Sequence, residues 1–473
     1  MQRDAEVAPG PNSRHPSAVT APSLLWLRQD LRLNDHPALI AASRSGPVIP
    51  VYVHDDAAPG RHRMGPIQRQ WLRASLEKLG VSFSSKGASL ILRRGNIIAE
   101  LTRLAAETGA SRVYAIRHYE PWWQEAESEL GAEVELVLHD GNQLAPPSSL
   151  LTGSGTRYRV FTPWWRALLE RMPPPEPLAA PDIVTSVDGV SSDRLADWNF
   201  GPAMTGAGAW TPGEAGADAM LEALLQKIGA YDVARDFPDR EAPSHLSPHL
   251  HFGEISPAAI WHRACLAAGS GAEPFLRQLG WRDYAANLID QLPTYGLANG
   301  RPAYDRMPWR TGDTAERDFA AWVEGRTGYP IVDAGMRELH ETGYMHNRVR
   351  MLAASFLIKH LLLDWRRGER WFWDHLFDAD YASNSANWQW VAGTGVDAPL
   401  FSRIMAPLSQ SVKFAAGEYI RKWIPELAGL PEPAIHDPDE HGLRPASYPP
   451  KIIGHHEARE RALAAMRSVR DAH

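Results

Sequence analysis

The chain has 473 residues, 44% hydrophobic and 22% charged, and 49 Lys and Arg against 56 Asp and Glu give a formal net charge of −7. At roughly 100–200 residues per domain this predicts two to four domains of ordinary globular composition, and it excludes nucleic-acid binding through a global positive field, leaving only a local basic face. The single cysteine, Cys265, excludes an internal disulfide framework and a cysteine-built zinc or iron–sulfur centre; no metal site is expected, and a reducing cytoplasm is the expected compartment.

In chain order, residues 1–22 are polar and Pro-rich with no apolar h-region, and read as a flexible tail rather than a signal peptide. Residues 23–150 alternate short apolar runs with helical patterns. Strands are predicted at 24–28, 48–54, 89–95, 112–119 and 134–141, with amphipathic helices at 66–80 and 96–109. This is the pattern of a parallel, Rossmann-like α/β sheet, whose ligands sit beyond the carboxyl ends of the strands. The first strand runs into "RQDLRLNDHPAL" and not into G-x-G-x-x-G, so a standard dinucleotide site is not expected there. Residues 151–215, rich in Pro, Gly, Ser and Asp, read as a connector. From 216 to 473 helical patterns dominate and the second half is predicted all-α. The longest apolar run, 351–363, carries Lys359 and His360; it is too short to span a bilayer and reads as a buried core helix.

Three segments carry polar residues of chemical interest. "DADYASNSANWQWVAGTGVDAP" (378–399) sets Trp388 and Trp390 among small residues near Asp378, Asp380 and Asn384. Paired carboxylates suit acid–base or metal chemistry; helix capping is the simpler reading of this segment alone. "GYMHNRVRM" (343–351) opens an apolar helix with His346, Asn347, Arg348 and Arg350, and Arg350 is a suitable partner for a buried Asp378. "SHLSPHLHFGEISP" (244–257) suits phosphate binding through Ser244 and Ser247, or an ordinary N-cap. "RQLGWRDYAANL" (277–288) gathers Arg277, Trp281 and Tyr284 on one helical side beside Gln278 and Arg282. That face can stack a base and hold a phosphate, or be a surface helix with a core Trp.

Taken together and in order, "LLWLRQDLRLNDHPAL", "YDVARDFPDREAPSHLSPHLHFGEISP", "WVEGRTGYPIVDAGMRELHETGYMHNRVRM", "DWRRGERWFWDHLFDADYASNSANWQWVAGTGVDAP" and "RIMAPLSQSVKF" resemble the cryptochrome/photolyase family from about residue 24 onward. The resemblance implies an α/β antenna domain and a helical domain that holds a folded, non-covalent FAD below a pocket for a flipped DNA lesion. By resemblance, Tyr231 and the run Ser244, His245, Leu246, Ser247 hold the flavin phosphates and ribityl chain; many relatives have Arg at position 245. Arg350 and Asp378 form the salt bridge beside the isoalloxazine, with Ala379 and Asp380 following at the ribityl and ring edge. Asn384 lies opposite the flavin N5. Gln278 and Arg282 also border the cofactor. Trp388, Trp365 and Trp309 form the electron-carrying tryptophan chain. Trp281 and Trp390 wall the lesion pocket, Asn347 and Met351 line it with Gln278, and Arg235, Arg282, Arg348, Arg403 and Lys413 form a basic rim for phosphates.

The implied activity is blue-light repair of cyclobutane pyrimidine dimers, with electron transfer from excited reduced FAD to the lesion. Dimer repair enzymes carry Glu where this chain has Gln278. The (6-4) repair enzymes carry Gln there, but also a second His where this chain has Met351. A cryptochrome photoreceptor often appends a long C-terminal tail, and only "HHEARERALAAMRSVRDAH" stands here. Dimer repair is therefore the expected branch. An antenna, methenyltetrahydrofolate or 8-hydroxy-deazaflavin, is expected near His62 and 118–127, where Trp122 and Trp123 either stack on it or fill the cleft. The expected partner is UV-damaged DNA, with no membrane and no obligate protein partner: a cytoplasmic monomer, associated with the nucleoid when on DNA.

Overall fold

A computed structural model describes residues 21–201, 210–240, 242–401 and 403–471. Residues 1–20 of the expected tail and 202–209 of the expected connector lie outside these residues.

The first half is a five-stranded parallel sheet, β1 (Ser23–Leu27), β2 (Val48–His54), β3 (Ile91–Arg94), β4 (Arg112–Ile116) and β5 (Glu135–His139), in the order β3-β2-β1-β4-β5. Helices α1 (Pro37–Ser45), α2 (Pro66–Ser85), α3 (Ile97–Thr108) and α4 (Pro121–Glu133) connect the strands. The period of two along β1 sorts its side chains: Leu25 and Leu27 pack with α1 and α2, Leu24 and Trp26 with α3 and α4. Local chemistry sets the helix ends. On α3, the Asn96 side chain accepts from the Ala99 N–H, and Gly109 at φ 67° closes the helix. Strand order reverses between β1 and β4, so the sheet's crevice opens there.

Within 151–215, helix α5 (Phe161–Leu169) buries Phe161, Trp164, Trp165 and Leu168 in the core of the second half. Its aromatic content, more than its Pro-rich flanks, decides where it goes. The helices that follow are α6 (Glu214–Leu225), α7 (Tyr231–Ala234), α8 (Ser247–His251), α9 (Pro257–Ala268), α10 (Glu273–Gln291), α11 (Asp313–Val323) and α12 (Pro330–Thr342). Then come α13 (Asn347–Ser355), α14 (Trp365–His375), α15 (Tyr381–Ala392), α16 (Pro407–Lys413), α17 (Gly417–Trp423) and α18 (His455–Asp471). The apolar run 351–363 is buried as expected, but it is not one regular helix: α13 widens into a π-turn at Phe356–His360 and Leu362 takes φ 52°. That turn lets buried Lys359 donate to the carbonyls of Ala392 (2.8 Å) and Phe401 (3.0 Å), which a buried ammonium requires.

A buried polar seam joins the halves. Arg32 donates to Asn142 Oδ1 (2.8 Å) and to the carbonyl of Gly253 (2.9 Å). Glu254 accepts from Trp71 Nε1 (3.1 Å), Ser75 and His249. A Cβ on Gly253 would lie 2.1 Å from the Gln29 carbonyl oxygen, so this close approach requires glycine.

Candidate functional site

A cavity opens among α13, α14 and α15. Along one wall Arg350 grips Asp378 in a two-pronged pair, Nη1 to Oδ1 and Nη2 to Oδ2, both 3.0 Å; its Nε donates to the Met345 carbonyl (2.7 Å). Burial opposes the charge on Asp378, but Arg350, with a hydrogen bond from Ser247, holds its carboxyl below the ordinary carboxylate range. Asn384, on α15, spends both amide hydrogens on Glu369, at its carbonyl (3.2 Å) and Oε1 (2.9 Å). Both partners are acceptors, which fixes the amide's orientation and leaves its oxygen as the acceptor available to the cavity. Phe372 and Trp388 stand edge-to-face at 5.0 Å as flat walls, and Asn347 and Met351 complete the lining. Asp380 caps α15 by accepting from the Ser383 N–H (2.6 Å), so the capping reading of this segment holds for Asp380 and the ion-pair reading for Asp378.

A second, smaller cavity lies on the other side of Ala379, at the strand-order reversal of the sheet. Gln29, His118, Glu120, His251, Arg282 and Asp380 are among its lining residues. Burial, and then the charge of Asp380, push the Glu120 carboxyl up to about 7. Burial and then Arg28 drive His118 well below its ordinary range. Arg282 points into this cavity. It donates to the Asn142 carbonyl (2.6 Å) and pairs with Asp283 (3.1 Å), so this half-buried guanidinium serves acceptors at the domain seam.

The remaining predicted residues lie outside the lining of these two cavities. Tyr231 packs edge-on against Phe275 (5.4 Å) beneath Arg235, and Ser244 accepts from the Leu246 N–H (3.4 Å). His245, at φ 52°, sets its ring between Trp210 (5.1 Å) and Tyr344 (5.2 Å); the Leu246 side chain is a core residue. Of the other cations, Arg348 pairs with Asp236 (2.6 Å), Arg235 reaches the same carboxylate at 3.9 Å, Arg403 lies over Trp390 (5.6 Å), and Lys413 is exposed beside Phe414. The Gln278 amide donates to the Pro274 carbonyl in its own helix (3.3 Å). Trp365, fully buried, donates from Nε1 to Asn299 Oδ1 (3.0 Å), and Trp309 is half-buried. The indole in ring contact with Trp388 is Trp322, at 6.4 Å. Near the domain seam, His62 stacks on Trp122 (6.1 Å) and meets Tyr381 edge-on (4.8 Å), while Trp123 turns away onto Trp26 (6.2 Å).

Sequence reasoning missed Glu369, Glu120, Trp322 and Phe161. The last stacks face to face on Trp281, centroids 3.6 Å apart. None of the four has a local signal, because each acts through a residue distant in sequence.

Comparison with known proteins agrees with this geometry. The family model described as "DNA photolyase" matches residues 23–182, and "FAD binding domain of DNA photolyase" matches residues 275–468. The deoxyribodipyrimidine photo-lyase of Agrobacterium fabrum is 43% identical, over 96% of this chain and 99% of its own. Cryptochrome-1 of Arabidopsis thaliana is 35% identical, over 94% of this chain and 70% of its own. The crystal structure of a class III photolyase from Agrobacterium tumefaciens is similar with a TM-score of 0.91 at 42% identity, over 97% of this chain and all of that one. A flavin fits the first cavity by its chemistry: Phe372 and Trp388 give it an aromatic lining, the Arg350–Asp378 pair offers both donors and acceptors, and the Asn384 oxygen suits an N–H donor. The chain belongs to the DNA photolyase/cryptochrome family and carries that family's FAD-binding domain.

Proposed function

We propose that this protein is a deoxyribodipyrimidine photo-lyase, an enzyme that uses blue light to split cyclobutane pyrimidine dimers in UV-damaged DNA. The observation that carries the reading is the pairing of a half-buried Arg350–Asp378 bridge with an Asn384 whose oxygen is left as an acceptor, in one cavity. The chemistry that FAD supplies when bound is reversible one-electron donation on light excitation.

The chain's own residues do the rest. Arg350 and Asp378 hold the ring edge with a matched ion pair that adds no net charge. The free oxygen of Asn384 favours a protonated N5 position, that is, the reduced cofactor. Trp388, with Trp365 and Trp309, offers oxidisable rings for photoreduction. Trp281 and Trp390 receive the flipped lesion, as photolyases extrude their target nucleotide. Asn347 touches the dimer. Arg235, Arg348, Arg403 and Lys413 grip the flanking phosphates. Gln278 can donate a hydrogen bond to a dimer carbonyl but supplies no proton. Repair of (6-4) photoproducts fits less well, because burial lowers His346 to about 4 and position 351 holds Met, so no acid–base pair is present. The His62–Trp122 contact is the proposed antenna seat, for a folate or a deazaflavin. One polypeptide carries both the flavin cavity and the cationic rim, which supports action as a monomer on DNA, and the single cysteine supports a reducing cytoplasm.

The test is to illuminate the purified flavoprotein with three oligonucleotides: dimer-containing, (6-4)-containing and undamaged. Dimer reversal is expected, and Gln278→Glu should keep or raise it. Reversal of (6-4) products alone, or of neither lesion, overturns the reading.

A further inference from the structure

Phe161 opens helix α5, in a stretch whose composition reads as a linker. Its ring lies flat on that of Trp281, with centroids 3.6 Å apart and planes 8° apart. The two rings differ in exposure: Phe161 is buried and Trp281 half-buried, so Phe161 backs the indole and leaves part of it open. Tyr284 meets the edge of Trp281 at 5.7 Å, and the Arg277 guanidinium lies 5.1 Å from the Phe161 ring.

The backing ring is itself fixed. The Phe161 N–H donates to Asp397 Oδ2 (2.9 Å), in the loop leading to Arg403. The Tyr284 hydroxyl donates to the Arg159 carbonyl (2.7 Å). A Cβ at Gly280 would lie 2.5 Å from the Trp165 ring, so α5 and α10 approach closely beside the stack. Two helices and a loop therefore converge on one aromatic pair.

We propose that Phe161 is a positioning residue for lesion recognition: by stacking on Trp281 it sets the plane and depth of that indole before DNA arrives. The proposal rests on the reading of Trp281 as a wall of the lesion pocket. An unsupported indole must be ordered on binding, and that ordering opposes affinity; a stacked one is already in place. Stacking of this kind acts on the flipped lesion alone, since undamaged duplex does not enter the pocket.

The experiment compares the flavin-loaded wild type with Phe161→Leu, Trp281→Ala and the double variant, measuring affinity for dimer-containing and undamaged DNA and repair yield at saturating DNA. Phe161→Leu should weaken binding of dimer-containing DNA by about three- to tenfold. Flavin absorbance, saturated yield and affinity for undamaged DNA should not change. In the Trp281→Ala background, Phe161→Leu should add nothing, because the residue acts through the indole. An equal loss on both DNAs, no loss on either, or an undiminished loss in the Trp281→Ala background overturns the proposal. If Phe161→Leu does not fold, Phe161→Met, which refills the volume without a planar face, carries the same expectations. A wild type that binds both DNAs equally overturns the lesion-pocket reading itself, and this proposal with it.

Discussion

Asp378 and Glu120 both have buried carboxyls, Asp378 lines the first cavity and Glu120 the second, and they shift in opposite directions. Asp378 is held below the ordinary range because a two-pronged guanidinium outweighs the cost of burial. Glu120 rises to about 7 because Asp380 adds repulsion to that cost, and the nearby Arg28 is committed to Glu127 at 2.7 Å. Burial alone therefore predicts nothing about charge; the committed partner decides it. One cavity keeps a paired carboxylate, and the other holds a carboxyl raised toward neutrality at the domain seam.

The strongest way to break this contrast is Arg350→Met, which leaves Asp378 buried without its cation. A loss of about 3–5 kcal/mol is expected, together with loss of flavin from the purified protein. Urea unfolding and the flavin-to-protein ratio read both, and an unchanged midpoint with full flavin would refute the pairing argument.

Next is pH. The folded Glu120 value of about 7 exceeds its ordinary 4.5, so between these values the folded state keeps a proton that the unfolded chain has released. Its contribution therefore falls as pH rises through that window and is flat above it, by ~3 kcal/mol in all. Asp378 has the opposite sign: its contribution is present above the ordinary carboxylate range and is lost only as acid carries pH through its lowered value. Unfolding at about pH 8, about pH 5 and about pH 3, on wild type and Glu120→Gln, separates the two, because Gln should abolish the fall between the first two points and leave the acid loss at the third.

The smallest effect sharpens the line between seam and rim. Lys413→Ala should weaken DNA binding evenly across sequences and lower the salt dependence by about one released ion. Arg282→Ala should leave that slope unchanged, because its guanidinium is spent on Asn142 and Asp283. Equal slopes in titrations of the two variants would place Arg282 back on the rim.

Much of this was legible in the chain. The five strands lie where alternating apolar runs put them, because a doubly covered parallel sheet requires those runs. The order of family blocks sufficed to name Arg350, Asp378 and Asn384. Less legible were elements whose local signal points elsewhere: α5 hides its aromatic face in a Pro- and Gly-rich stretch, and the run 351–363 carries no mark of its π-turn. Arg282 shows the limit most plainly. In sequence it is one more cation beside a pocket Trp, and only the carbonyl of Asn142 and the carboxylate of Asp283, brought together by folding, turn it inward.

By itself the sequence determined the two-part architecture and the cofactor class, because hydrophobic period and motif chemistry are local properties of the chain. Tertiary structure alone decided that Arg282 turns to Asp283, that Glu120 is raised beside Asp380, and which ring stands behind Trp281. Those outcomes depend on distances between residues such as Phe161 and Trp281 that are far apart along the backbone, and such distances do not exist until the helices pack.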